Sequence, residues 1–244
     1  MSLACIDIPK SGSYVLTNVR VPISVLSAKV AASLLADLDH EGAAPVSVSV
    51  SDEGVVSSIS SGHVTSPTPE TQTVDCEGKH LWTRFCDAHT HLDKTQTWDQ
   101  APNLDGTAEG AKDAAKAARK TPWSFEDVFA RMEFGVRSAL HHGTHALRTH
   151  IDSRPGRTYP SWDAFSALRR KYEDTIQLQA VATLGASKLH GAYGDEIAKL
   201  AMDHGAALGP VIYQTDTMQP DIERVFDLAE RYGLSLDFHV DKTL

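Results

Sequence analysis

Cysteine is scarce in this chain: there are three, Cys5, Cys76 and Cys86, with no CxxC spacing. An odd, unpaired set offers nothing to a disulfide framework or a thiolate zinc site, so each thiol is expected as a small buried hydrophobe. Positive charge is short as well. Lys+Arg of 23 against Asp+Glu of 32 leaves a net charge of -9, and no basic cluster exceeds Arg169-Arg170-Lys171. The electrostatic footprint of a nucleic-acid binder is missing. Long apolar runs are also absent: the longest candidate, Val25 to Leu38, is interrupted by Ser27, Lys29, Ser33 and Asp37, far short of the ~20 apolar residues a membrane span needs. Met1 to Asp7 carries no basic segment followed by an apolar one, as a secretion signal would. The expectation is a cytoplasmic protein without nucleic-acid or membrane partners. What the chain does have is 244 residues at 41% hydrophobic and 23% charged, the balance of a folded protein with a sizeable core, and 12 histidines.

Residues 1–83 differ in texture from 84–244. Val15, Val19, Val21, Val46, Val48, Val50, Val55, Val56 and Ile59 fall in short alternating runs broken by Gly54, Gly62 and a Ser/Pro/Thr-rich stretch at 66–73, which reads as strands and turns. Within it, Val25, Leu26, Val30, Ala31, Leu34, Leu35 and Leu38 recur at nearly helical spacing, so a helical insertion is expected there. From residue 84, strands and helices alternate. The strand candidates are Phe85 to His89, Ala146 to Ile151, Leu178 to Ala182, Pro210 to Tyr213 and Leu234 to His239. Ser124-Phe125-Glu126-Asp127 opens one helix and Gly143 closes it; others are expected over Ser161 to Glu173 and Asp221 to Arg231, the last stopped by Gly233. Such alternation predicts a parallel α/β sheet. With His89, His150, Val181, Val211 and His239 as markers, the spacings are 61, 31, 30 and 28 residues, close to the ~30 per unit of a (β/α)8 TIM-type barrel with one long insertion in its first unit. Only about five βα units are present, and a doubly wound sheet is disfavoured because its GxGxxG turn is missing.

The chemistry concentrates at two strand ends. His89 and His91, in Asp87-Ala88-His89-Thr90-His91-Leu92-Asp93-Lys94, are two apart, so on an extended backbone both imidazoles face one side and can chelate one ion. His239, in Asp237-Phe238-His239-Val240-Asp241-Lys242, ends the last strand, and in a parallel barrel all strand C-termini open onto one mouth. Three convergent imidazoles with an open position form a catalytic metal site. His150 and Asp152 end the second strand facing the same mouth, either lining the pocket or simply terminating the strand. Lys94 either polarises a substrate group or lies solvated on the rim. Asp87, Asp93 and Asp241 flank the histidines; Asp87 and Asp241 could accept an outer imidazole N–H or cap a turn.

The segment Phe85-Cys86-Asp87-Ala88-His89-Thr90-His91-Leu92-Asp93-Lys94-Thr95 resembles the first-strand motif of the amidohydrolase superfamily, in its cytosine-deaminase-like branch. Gly143 to Asp152 is similar to that branch's second-strand segment, and Leu236 to Asp241 to its fifth. The resemblance implies a distorted (β/α)8 barrel over 84–244. It also implies that 1–83 is part of a small β-sandwich completed in the family by the C-terminal tail. It further implies one iron or zinc ion held by His89, His91 and His239, and hydrolysis of carbon–nitrogen bonds other than peptide bonds. The reaction expected is deamination of a cytosine-like amino-substituted heterocycle by metal-activated water, in an enzyme that is often oligomeric. The family's fourth ligand, an aspartate after the eighth strand, has no counterpart in these 244 residues, and the expectation is that the natural polypeptide is longer or that residues from elsewhere close the barrel.

Two positions depart from the pattern. Lys242 stands where the family carries a proton-shuttling glutamate, and a lysine of ordinary pKa, ~10.4, is a poor base at neutral pH. It is either a neutral lysine serving as the catalytic group, a residue replaced in that role by another, or a sign of lost activity. Gly185 falls near the position that reads a pyrimidine amide edge with glutamine, which it cannot do. The alternative reading is therefore a weakened or non-catalytic homologue acting as a binding or assembly subunit.

Overall fold

The computed structural model describes residues 6–62, 71–118 and 123–242, with the backbone but not the side chains of Asp241 and Lys242. Cys5 lies outside the described residues. The chain divides into two compact units, Met1–Thr83 and Arg84–Leu244.

In the first unit, β1 (Tyr14–Pro22), β2 (Ala43–Val50), β3 (Val56–Ser61) and β4 (Gln72–Asp75) form one sheet in the order β3-β2-β1-β4. β1 runs antiparallel to β2 and parallel to β4. Leu16 and Val19 are three apart, so strict alternation would send them to opposite faces. A bulge between them, where Asn18 takes φ 52, brings both into the core. The segment expected to be helical is so: α1 (Ala28–Leu34) lies between two 3-10 turns, Ile23–Val25 and Leu35–Asp37. Its Leu34 is buried, with Val25, Leu26, Val30 and Leu38 packed against the sheet's valines. The described residues thus give one sheet layer with a helical cover, not the two sheets of a complete sandwich.

The second unit is built from β5 (Phe85–Thr90), α2 (Ala108–Ala118), α3 (Phe125–His141), β6 (Thr144–Asp152), α4 (Thr158–Lys171), β7 (Gln177–Gly185), α5 (Ala192–Asp203), β8 (Ala207–Tyr213), α6 (Met218–Tyr232) and β9 (His239–Lys242). The five strands are all parallel and lie in sequence order, β5-β6-β7-β8-β9, as a curled half-barrel. Helix spacing fills its core: Val128, Met132 and Val136 of α3, Trp162, Phe165 and Leu168 of α4, and Val225 and Leu228 of α6 are all buried. The Ser124 hydroxyl caps α3 by accepting from the Asp127 amide at 3.2 Å, and Gly233 ends α6 in the left-handed region.

Three expectations need correction. The helix placed at Ser161 begins at Thr158, because Pro160 is admissible in a first turn, where its missing N–H is not needed. The last strand pairs regularly only from His239; the apolar run before it touches β8 through one bridge, Leu208 to Leu236. Cys86 is exposed where burial was expected, because it sits on β5, which among the described residues pairs with β6 alone and is exposed along most of its length, while Cys76 is buried as expected.

Candidate active site

Alternation along the strands decides what meets inside the half-barrel. Arg148, His150 and Asp152 point to one side of β6, and Asp237 and His239 to one side of the segment entering β9. His89 and His91 come from the end of β5. The result is a cluster of four imidazoles. The ring of His150, completely buried, stacks on His89 with centroids 3.9 Å apart, and His239 stands 4.8 Å from His89 and 4.9 Å from His150. Nε2 of His239 lies 3.3 Å from Nε2 of His91. Of the residues expected to bind metal, His89, His91 and His239 are thus in one place. His150, expected at the pocket wall, has joined them: donor atoms of His89, His150 and His239 all lie within 4.8 Å of one another.

The donor chemistry of this cluster suits a cation. Two imidazole nitrogens on one tetrahedral zinc ion, at ~2.0–2.1 Å each, stand about 3.4 Å apart, close to the 3.3 Å between His91 and His239. Burial, then Lys94 and the neighbouring rings, pushes the His91 pKa down to about 3, and burial followed by His89 lowers that of His150. Both are therefore neutral imidazoles with a lone pair to give. Among the described residues, the buried Nδ1 of His91 and both ring nitrogens of His150 lack a hydrogen bond of good geometry.

The aspartates around the cluster take different duties. Asp87 accepts the backbone N–H of His89 at 3.1 Å, so it braces its own strand end. Asp93 is fully buried; its Oδ2 accepts the Asp152 amide at 2.7 Å and its backbone carbonyl accepts from the Arg131 guanidinium, while burial drives its carboxyl up to about 6. Asp152, also buried, pairs with Arg154 at 3.0 Å. Lys94 borders a small cleft with Thr97, Trp123 and Arg157, and the Arg157 guanidinium lies 4.3 Å from the Trp123 ring. The side chains of Asp241 and Lys242 lie outside the described residues.

Two charged residues that the sequence reading did not assign sit directly against the cluster. Asp237 accepts from Arg148 at 2.8 Å, and its other oxygen stands 3.4 Å from His150 Nε2. Arg148 in turn donates to Gln179 at 2.7 Å. Burial opposes the Asp237 charge, but Arg148 and His150 outweigh it and hold the carboxyl below its usual range. The signal for both was present: each lies two residues before a cluster histidine on an extended segment. At the ends of β6, β7 and β8, a cavity of about 490 Å³ is lined by Ser153, Arg154, Leu184, Gly185, Tyr193 and Tyr213, among others, and by none of the four histidines. A Cβ at Gly185 would meet only Tyr213, at 3.8 Å.

No protein-family profile matches the chain. It is 32% identical, over all 244 residues, to a pterin deaminase of Rhizobium rhizogenes, of which it covers 54%. Among solved structures, the 5-methylcytosine deaminase of Klebsiella pneumoniae liganded with 5-fluorocytosine has a similar fold at a TM-score of 0.68 and 24% identity, over 93% of this chain and 51% of that one. The N-isopropylammelide isopropylaminohydrolase of Burkholderia multivorans matches at a TM-score of 0.65 and 22% identity, over 95% of this chain and 53% of that one. The chain thus spans about half the length of the relatives it matches. A likeness to named deaminases that runs the length of the sequence, on a sequential parallel half-barrel whose strand ends gather four histidines, indicates the amidohydrolase superfamily, deaminase branch.

Proposed function

We propose that this protein hydrolyses a carbon–nitrogen bond in a small nitrogen heterocycle, removing an exocyclic amino group as ammonia with one water consumed. In this reading the curled sheet is five of the eight units of a distorted barrel, and the N-terminal sheet is one layer of a sandwich. The convergence of four imidazoles on one mouth is the observation that carries it. His89, His91 and His239 would hold one divalent iron or zinc ion, which when bound supplies the Lewis acidity that activates water at neutral pH. His150 closes the cluster from the β6 side. Asp93 and Asp152, linked through the Asp152 amide, hold the loop after β5 to the end of β6 and so keep His91 in reach of His239.

The choice of substrate rests on the cavity at the ends of the same strands, β6 to β8. Gly185 offers no side-chain amide to read a single pyrimidine ring and leaves its corner of the cavity open beside Leu184 and Tyr213. A fused two-ring amino-heterocycle of the pterin kind fits that opening better than cytosine, and the likeness to a pterin deaminase supports the same choice. Deamination also needs a group that carries a proton from water to substrate, typically worth 10²- to 10⁴-fold. Lys242 occupies the position the resemblance gives to that group.

The test is ammonia release from pterin and from cytosine by the zinc- and iron-loaded protein, with Lys242→Glu alongside. Metal-dependent release from pterin, faster in Lys242→Glu by on the order of 10²-fold, is the expected result. Silence of both forms on both substrates would instead favour a non-catalytic homologue.

A further inference from the structure

Beneath the histidine cluster, a partly exposed charged pair stands where a barrel interior would ordinarily hold stacked aliphatic side chains. Arg148 reaches from β6 to Gln179 on β7 and to Asp237 at the entrance of β9, so one guanidinium ties three neighbouring chain segments together. The carboxylate it holds is turned to His150, whose ring is completely buried and stacked on His89. Packing holds a buried imidazole in place but leaves its ring flip and its tautomer to be decided by polar partners. Here the Asp237 carboxylate, held by a bidentate-capable cation, stands 3.4 Å from Nε2, and the Thr90 backbone also reaches the ring; of the two acceptors the charged one is the stronger and so decides which nitrogen carries the proton.

We propose that Asp237, braced by Arg148, is a positioning residue that fixes the tautomer and plane of His150 and thereby the spacing of the imidazoles stacked against it. Asp237 accepts the Nε2–H of His150. Nδ1 keeps its lone pair, and His89 is held by the stacked ring at the place where it meets His91 and His239. This rests on the metal reading of the cluster given above. Carboxylates that orient histidines around an ion are typically worth 10- to 100-fold in metal affinity.

The experiment has two arms. In the first, long-range nitrogen–proton correlation spectra of the metal-free protein report the tautomer of His150. Protonation at Nε2 is expected, and protonation at Nδ1 would overturn the proposal without any variant being needed. In the second, zinc affinity is measured by competition with a chromophoric chelator for wild type, Asp237→Asn, Arg148→Met and Arg148→Lys. Asp237→Asn and Arg148→Met should lose on the order of 10-fold or more, with Arg148→Lys recovering part of the loss. Affinity unchanged within about twofold in folded Asp237→Asn, a limit well below that 10-fold loss, would sink the proposal. Should wild type bind no zinc, the metal reading fails by itself, and the tautomer still decides whether Asp237 holds the ring.

Discussion

The residue that most constrains this site carries no side chain. Gly209 lies on β8 between β7 and the segment that brings Asp237 and His239 to the cluster. A Cβ there would come within 2.3 Å of Val181 Cγ1, 3.2 Å of the Asp237 carbonyl oxygen and 3.3 Å of Thr183 Oγ1. Since Cβ and all three neighbours are fixed by backbone or by a β-branched side chain, relief has to come from β8 shifting, first away from Val181 on β7, which disturbs its spacing to the chain carrying Asp237. Gly209→Ala should therefore destabilise the protein by about 1–3 kcal/mol through overpacking and weaken zinc binding as well. Urea melts and chelator competition would check this; an unchanged melt would show that the strand spacing is softer than these contacts imply. The site was legible in the sequence as far as its histidines. His89 and His91 could be read from their i, i+2 spacing, and His239 from its place at a strand end. His150 entered the reading only as a wall residue, because nothing local says that its ring stacks on His89. Asp237 and Arg148 were missed because their meaning lies in a pairing across 89 residues of chain, although their alternation with His239 and His150 put them on the inward side.

At the scale of elements, local signals worked where a cap or a breaker stood and failed where only composition was available. α3 was readable from Ser124 and Gly143, and α6 from Gly233, since each residue does something specific to an orphan backbone group. Removing the Ser124 hydroxyl leaves the Asp127 amide without its acceptor, so Ser124→Ala should cost about 1 kcal/mol in chemical denaturation. Helix α2 is the exception: the Thr107 hydroxyl caps it by accepting the Gly110 amide at 2.9 Å, but with one buried residue among those described, its run of alanine, lysine and acidic residues could not be told from a polar insertion. The turn before β2 makes a second element-scale prediction. Asp39 accepts the amides of Glu41 at 2.8 Å and Ala43 at 3.0 Å and is bound by the Arg20 guanidinium. The Ala43 amide is the largest influence lowering its carboxyl, to about 2. A carboxyl depressed in the folded state binds fewer protons there than in the unfolded chain. Its contribution is therefore complete above about pH 4 and is lost as pH falls toward 2. Asp39→Asn should flatten that part of the pH–stability curve of the first unit; a curve of unchanged slope would remove the turn from the account of acid sensitivity.

For the whole molecule, the two units respond to different ligands and conditions because each has its own buried cluster, valine-rich in 1–83 and built on the helix faces of α3 to α6 in 84–244. The acid-sensitive turn belongs to the first and the histidine cluster to the second. Any ion held by the histidines binds the folded second unit and not its unfolded chain, so it must stabilise that unit by mass action, about 2.7 kcal/mol at a hundredfold excess over Kd. For a unit of this size, each kcal/mol moves the midpoint roughly 2–4 °C. Zinc should therefore raise the transition of 84–244 by roughly 5–10 °C and leave that of 1–83 in place, with a chelator reversing the shift. The two transitions can be told apart by tryptophan: Trp162 is buried in the second unit's core, whereas Trp82 of the first is exposed. Scanning calorimetry with intrinsic fluorescence at pH 7 would measure both. A zinc shift confined to the tryptophan-reported transition supports a metal held at the strand ends of the half-barrel. An equal shift in both would mean that zinc binds elsewhere, for instance at surface histidines such as His80, and no shift would leave the four imidazoles a packed polar cluster.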